Sequence, residues 1–252
     1  MVNNVVNPLV SIIMPSFNVE NTISTSIESI LSQDYDNWEL IITDDCSTDT
    51  TVSIVQTFQK IDSRIRLYQN SKNSGSGISR NNSISHANGK YIAFLDADDL
   101  WRFDKLSKQI GFMEENFYDF TYTSYQKFDS KGPRKSYHPQ SSVNYNQLLR
   151  SNVIGCLTAI YNAETLGKVY MPTIRRKQDF GLWLLILKRI PRAYCLDLVL
   201  ADYRCDSGVT SNKFHVLSHQ WRFYREVVGL SRIKSCLLFL SYAAFGFVKF
   251  IK

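Results

Sequence analysis

The chain is 252 residues long, 44% hydrophobic and 21% charged, with a net charge of +6. That balance allows a sizeable core and excludes wholesale disorder or a coiled coil. No apolar stretch approaches the roughly 20 residues needed to cross a bilayer, which excludes a polytopic membrane protein, and the first 15 residues give no expectation of a secretory signal peptide.

In chain order, the apolar, β-branched run Leu9–Met14 predicts a buried strand ended by Pro15-Ser16-Phe17-Asn18. Ile23, Ile27, Ile30 and Leu31 recur at helical spacing, with Asn21 or Thr22 to cap the start. Trp38–Thr43 predicts a second strand, broken by Asp44-Asp45-Cys46-Ser47-Thr48-Asp49. Thr50–Gln59 predicts a helix, Ile65–Tyr68 a third strand, and Asn70–Gly77 a polar loop leading into a helix that runs to about Ala87. Asn88-Gly89 is a turn signal before a fourth strand, Tyr91–Leu95, which ends in Asp96-Ala97-Asp98-Asp99-Leu100-Trp101. A helix carrying Leu106, Ile110 and Met113 follows. Strand and helix in alternation predict a parallel sheet flanked by helices.

The middle is less regular. Phe120–Tyr125 and Asn152–Tyr161 are expected as strands, Asp129–Gln140 as a mobile loop, Gln178–Lys188 as a helix and Val199–Arg204 as extended chain. Residues 204–252 hold eight Lys/Arg and two acids, so the rest of the chain is neutral. Within this end, Ser235–Val248 is apolar and bracketed by Lys234 and Lys249, a pattern that suits a helix lying in a membrane interface. Packing on the protein's own core, or on a second copy in a homodimer, is the alternative. The five cysteines are scattered with no C-x-x-C, suggesting neither disulfides nor a zinc site but reduced thiols in a cytosol. His86, His138, His215 and His219 lack metal-site spacing and are expected at the surface.

Ligands of a parallel α/β sheet bind at the carboxyl ends of the strands. Asp44, Asp45, Asp96, Asp98 and Asp99 all fall at such ends. Carboxylates converging on one edge repel one another and call for a cation. Hard oxygen donors suit Mg²⁺ or Mn²⁺, whose shell substrate phosphates commonly complete. The expectation is a metal–phosphate site, whereas Asp49 and Asp104 are expected to act only as turn or cap residues.

The residues also carry a resemblance. Val10-Ser11-Ile12-Ile13-Met14-Pro15-Ser16-Phe17-Asn18, Ser29-Ile30-Leu31-Ser32-Gln33, Asp44 to Asp49, Gly77 to Asn81, Asn88 to Asp99 and Gln178-Asp179-Phe180-Gly181-Leu182-Trp183 occur in order. This set resembles the inverting family 2 glycosyltransferases of GT-A fold that build bacterial surface polysaccharides such as O-antigen and capsule, over roughly residues 8–210. The resemblance implies a GT-A domain at 1–215, with a nucleotide-sugar half (8–101) and an acceptor half (102–215), followed by a helical tail (216–252).

It implies that Asp45 accepts from the uracil N3–H, a role that fits an acceptor-only carboxylate. Pro15, Phe17, Asn18, Glu20, Asp44 and Ala97 would line the nucleotide-sugar site, and Arg80 would meet its phosphates. Asp96 and Asp98 match the Asp-x-Asp motif, Asp98 on the metal and Asp96 on the ribose or metal shell. Asp99, Trp101 and Arg204 would serve the acceptor, while Trp183 is expected in the core, with stacking on the acceptor sugar as the alternative. Asp179 resembles the catalytic base, the aspartate of a Glu-Asp pair, but the first member is Gln178 here and cannot ionise. The implied activity is metal-assisted transfer of glucose or galactose from a UDP-sugar to a lipid-diphosphate-linked saccharide. The protein would work in the cytoplasm, peripheral to the inner face of the bacterial membrane. A sugar nucleotidyltransferase is disfavoured because Pro15-Ser16-Phe17-Asn18 stands where a glycine-rich phosphate loop would follow the first strand. A nucleic-acid binder is disfavoured because the basic tail interleaves Leu, Phe and Ala.

Overall fold

The structure is a computed structural model that describes residues 7–206 and 220–239. Its centre is a mixed sheet. The amino-terminal strands β1 (Val10–Ser16), β2 (Trp38–Asp44), β3 (Ile65–Gln69) and β4 (Tyr91–Phe94) are parallel in the order β3-β2-β1-β4. Beyond β4 the sheet continues through β9 (Ile160–Asn162), β6 (Phe120–Asp129), β10 (Ala193–Arg204) and the short β5 (Leu100–Trp101). The β4–β9 and β9–β6 pairs are antiparallel and the β6–β10 pair is parallel. β7 (Gly132–Tyr137) and β8 (Ser142–Val143) add to β6 and β10.

Period-two alternation splits the core into two layers. Val10, Ile12, Met14, Leu40, Ile42 and Ala93 face one cluster, which α1 (Ile23–Leu31), α2 (Thr51–Ile61) and α4 (Lys105–Asn116) cover through Ile27, Ile30, Val55, Leu106 and Ile110. Ile13, Ile41, Ile92 and Phe94 face the other, covered by α3 (Ser76–His86) and α7 (Gln178–Ile186) through Ile84, Leu182 and Trp183. Burying each such side chain contributes about 1.5–3 kcal/mol. Two short helices, α5 (Tyr145–Arg150) and α6 (Ala163–Leu166), lie in the second half. A helix over 220–227 (α8), π-wound across Phe223–Val227, and a helix over 232–239 (α9) complete the described chain.

Three expectations change. Asp129–Gln140 is mostly a hairpin, with β6 running to Asp129 and turning back at Gly132 (φ +111°). Asp129 accepts from Lys131 N and pairs with Arg134 at 2.7 Å, which favours the turn, and Pro133 is tolerated because β7 pairs with β6 alone. Asn152–Tyr161 is largely irregular, since the Thr158 hydroxyl donates to Gly155 O and a 3₁₀ turn at Cys156–Thr158 leaves only Ile160–Asn162 as strand. The extended segment begins at Ala193 rather than Val199. All five cysteines are free. Among the described residues no helix is long and apolar enough to cross a membrane. The tail expectation falls partly on residues outside those described, as do His215 and His219. His86 is partly buried and stacks on Tyr68, while His138 is half-exposed and bonds Asp197.

Close packing of β4 beside β1 depends on Gly89, whose N–H donates to Ser11 Oγ at 2.8 Å. A Cβ there would lie 2.6 Å from Ser11 N and 2.7 Å from Leu9 O, both backbone atoms. Gly89→Ala should therefore cost about 1–3 kcal/mol or more, read as a lower urea midpoint. Gly111→Ala, in α4 with nothing within 4 Å, should instead gain about 0.5–1 kcal/mol. Equal effects would refute the packing argument.

Candidate active site

The carboxyl ends of β1, β2 and β4 meet at one edge. Two residues there take left-handed backbone, Asn18 (φ 50°) and Cys46 (φ 66°), each just beyond a strand. Buried Asp44 accepts from Ser16 Oγ (3.1 Å), Ser47 N (2.8 Å) and Ser47 Oγ (2.5 Å), so its carboxylate ties the β1 and β2 loops together. Asn18 Oδ1 accepts from Thr48 N, and Glu20 accepts from Thr50 N and Oγ1 at the start of α2. Asp44, Asn18 and Glu20 thus shape the edge from behind. Asp49, as expected, is a turn residue, accepting from Thr51 N and Glu20 N. Asp104 pairs with Lys108 one helical turn on.

A cavity of about 230 Å³ opens there, lined by Pro15, Phe17, Asp45, Arg80, Asp96, Ala97 and Asp98 among others. Asp45 accepts from Asn70 Nδ2 (2.8 Å), Ser74 N (2.8 Å) and Gly75 N (2.6 Å), which folds the 70–75 loop and sets the start of α3. Its oxygens retain lone pairs for a further donor. Arg80, buried on α3, pairs with Asp96, while its Nε has no partner and remains a donor available to an anion.

A larger cavity of about 450 Å³ adjoins the first. Ser76, Arg80 and Asp96 line both. On its floor lies Asp179, in the first turn of α7, where Asn152 Nδ2 approaches at 3.4 Å. Burial pushes the Asp179 carboxyl upward, opposed by the Phe180 N–H and Arg80 and reinforced by Asp96. Gln178 is buried, and a Cβ on Gly77 would lie 2.8 Å from its Cγ, so the glycine lets α3 and α7 bring Arg80 and Asp179 to one cavity.

Asp99 lines this cavity too, deeply buried. Burial, then the charges of Asp96 and Asp98, push its carboxyl well above the usual range. Arg204 donates from N to Asp99 Oδ1 and from Nε to Asp98 O, both at 2.9 Å, and lies over the Phe128 ring. It lines neither cavity and acts by holding the acidic turn. Trp101 and Trp183 also lie away from the cavities. Trp101 is buried, donating to Leu157 O at 2.8 Å. Trp183 is fully buried between Phe94 and Phe120. Burial leaves neither ring a face for a sugar, which corrects the acceptor role expected of Trp101 and the alternative acceptor role of Trp183, whose expected place was the core.

The residues that sequence reasoning missed are Tyr125, Lys127, Tyr137 and Tyr203, all on the wall of the larger cavity. The Tyr125 ring lies 5.2 Å from that of Tyr137 and 5.9 Å from that of Tyr203. Tyr125 and Lys127 share a strand face by period two, and Tyr203 precedes Arg204, but pairing with Tyr137 depends on the hairpin. For a divalent cation, no group of three or more His, Cys, Asp or Glu is placed to hold one among the described residues. The donor set nevertheless fits a cation shared with substrate: Asp96 and Asp98 crowd Asp99 with like charge, and hard carboxylate oxygens suit Mn²⁺ or Mg²⁺.

Residues 11–172 match the family model for glycosyl transferase family 2. The chain is 41% identical over 239 residues to the putative teichuronic acid biosynthesis glycosyltransferase TuaG of Bacillus subtilis, covering 94% of this chain and 95% of TuaG. It is 41% identical over 216 residues to an Escherichia coli protein, covering 84% of each; that protein is the UDP-Glc:alpha-D-GlcNAc-diphosphoundecaprenol beta-1,3-glucosyltransferase WfgD. In fold it is similar to S. aureus TarS crystallised with UDP, with a TM-score of 0.70 at 20% identity, covering 93% of this chain and 70% of that one. The mannosyltransferase PcManGT of Pyrobaculum calidifontis, in complex with GDP-Man and Mn2+, gives a TM-score of 0.64 at 20% identity, covering 94% and 69%. The sheet is thus of the GT-A type, and the chain belongs to glycosyl transferase family 2 as a glycosyltransferase of bacterial polysaccharide synthesis.

Proposed function

We propose that the chain transfers a hexose, glucose before galactose, from a UDP-sugar to a hydroxyl of a lipid-diphosphate-linked saccharide with inversion. The observation that carries this reading is the junction at Arg80 and Asp96, which joins a cavity edged by Asp45 and Asp98 to one floored by Asp179. The glucose donor and diphosphate-linked acceptor in WfgD's name support the choice of substrates.

In the smaller cavity Asp45 accepts from the uracil N3–H, Pro15 and Phe17 flank the nucleotide, and Arg80 donates to its phosphates. Asp98, with Asp96, would hold Mn²⁺ or Mg²⁺, which when bound neutralises the diphosphate leaving group. In the larger cavity Asp179 takes the proton of the acceptor hydroxyl as its oxygen attacks C1 and the C1–O bond to UDP breaks. The raised carboxyl of Asp179 makes it a stronger base. Tyr125, Tyr137 and Tyr203 offer ring faces to the acceptor sugar, the part the buried tryptophans cannot take. The tail over 216–252 rests on the inner face of the bacterial cytoplasmic membrane. In α9, Ile233 and Leu237 are 75% and 64% exposed one turn apart among basic residues, which supports that placement.

UDP with Mn²⁺ should stabilise the protein by about 2.7 kcal/mol at 100-fold excess over Kd, on the order of 5–10 °C in a thermal-shift assay. In Asp98→Asn the Mn²⁺-dependent part should vanish; a metal-dependent shift retained in full would remove Asp98 from the metal site. Asp179→Asn should keep the UDP shift and lose about 10²–10⁴-fold in kcat. Because the base works ionised and burial raises its pKa, wild-type kcat should fall on acidification through a limb above the ordinary carboxylate value of about 4. Transfer unchanged in Asp179→Asn would sink the assignment. Deleting 233–252 should release the folded protein from membranes in a flotation assay, and full retention would refute the tail's role.

A further inference from the structure

A second depression lies on the other side of the turn that leads into α7. It is a groove of about 360 Å³ between residues 173–176 and α8, with Ile174 and Phe223 as apolar lining and Arg175, Arg176 and Arg222 as cations. Arg222 pairs with Glu226, the single acid in the groove wall. Among the described residues Arg175 and Arg176 have no ion pair or hydrogen bond. Two consecutive arginines without a carboxylate partner among the described residues, lining one groove with Ile174 and Phe223, match a phosphate-bearing ligand with a hydrocarbon chain, because guanidinium binds phosphate oxygens in bidentate pairs.

We propose, resting on the acceptor class given above, that this groove holds the diphosphate of the lipid-linked acceptor. Three features connect it to the chemistry. Arg176 is three residues from Asp179, so their Cα atoms are within about 11 Å. That is a span a sugar ring and its phosphate can bridge. The groove wall is fastened to the catalytic turn, since Lys177 donates to Gln220 Oε1 and the Phe180 ring stacks on Phe223 at 4.6 Å. Pro172 packs on Gly181, where a Cβ would lie 2.4 Å from its Cγ, fixing the turn's other end. Finally, α9 follows α8 directly and exposes Ile233 and Leu237, so an apolar surface for the lipid chain continues from the groove's own helix. Diphosphate in the groove would place the attached sugar over Asp179, and lipid length beyond the first few carbons would lie outside the protein.

Farnesyl diphosphate is the probe, titrated calorimetrically into the whole protein with UDP and Mn²⁺ present to fill the nucleotide cavity. Wild type should bind it. R175Q/R176Q should bind at least tenfold more weakly with an unchanged UDP thermal shift, and R175K/R176K should recover part of the affinity, since charge returns without the fork. Equal affinity of wild type and R175Q/R176Q overturns the proposal. So does a variant that binds farnesyl diphosphate normally but no longer binds phosphatidylglycerol vesicles, which would make the groove a contact for phospholipid headgroups. A wild type with no UDP shift would defeat the donor assignment instead, leaving the arginine-dependent diphosphate affinity as a separate result.

Discussion

The site is organised around one buried positive charge. Arg80 keeps its proton in any protein environment, and an unpaired buried charge is strongly destabilising. Burial opposes its charge, and Asp96, Cys156 and Asp179 together more than offset that. Arg80 therefore fixes where acids can stand: Asp96 against it, and Asp179 close enough for the guanidinium to oppose the upward push of burial. The helix carrying Arg80 is pinned to β2 by Thr43–Ser83 and to the preceding loop by Asn70–Ser79, both side-chain bonds of 3.0 Å or less. The guanidinium thus sits at the seam between the smaller and the larger cavity as part of a rigid frame, with its Nε left without a partner.

The two sides of that seam are built differently. On the side of the smaller cavity, strand ends in left-handed backbone are tied to one another by Asp44, Asn18 and Glu20. Such cross-bracing keeps the smaller cavity preformed. On the side of the larger cavity the wall comes from a hairpin, an irregular stretch at 152–157 and the last residues of β10. Few of these are held by ladders on both sides. The wall of the larger cavity is thereby placed in elements that tolerate change without disturbing the frame.

Legibility in the sequence followed the same division. The four parallel strands were readable because each is a short β-branched run ended by a turn signal, and their carboxyl ends named the acidic residues before any geometry was known. Gln33, one letter of the family resemblance, proves structural: it donates to Ser29 O and Arg102 O and accepts from Leu106 N, bridging α1 to the turn before α4. Trp183 was expected in the core and lies there, whereas Trp101 was misplaced because an aromatic side chain near an acidic motif reads alike whether it faces core or cleft. Only the pairing of β5 with β10 and the packing of Phe94 and Phe120 decide it. The tyrosine wall was hidden for a related reason. Tyr137 meets Tyr125 through the β6–β7 pairing, and the turn that creates it depends on a local Asp129–Arg134 attraction inside a segment whose composition reads as loop.

Gln178 gives the last constraint. The family resemblance leads one to expect a glutamate there, next to the base. Asp179 is already driven upward by burial, with Asp96 adding to it. A second carboxylate at 178 would add another like charge and raise Asp179 further. Catalysis by a general base balances strength against the fraction ionised. With one guanidinium serving both Asp96 and Asp179, there is little positive charge to spare for a third acid. The neutral amide adds no such charge, and its methylene stem fills the space that Gly77 leaves between α3 and α7. The departure from the family pattern is thus consistent with the charge balance of this site: the position retains its packing role and gives up its charge.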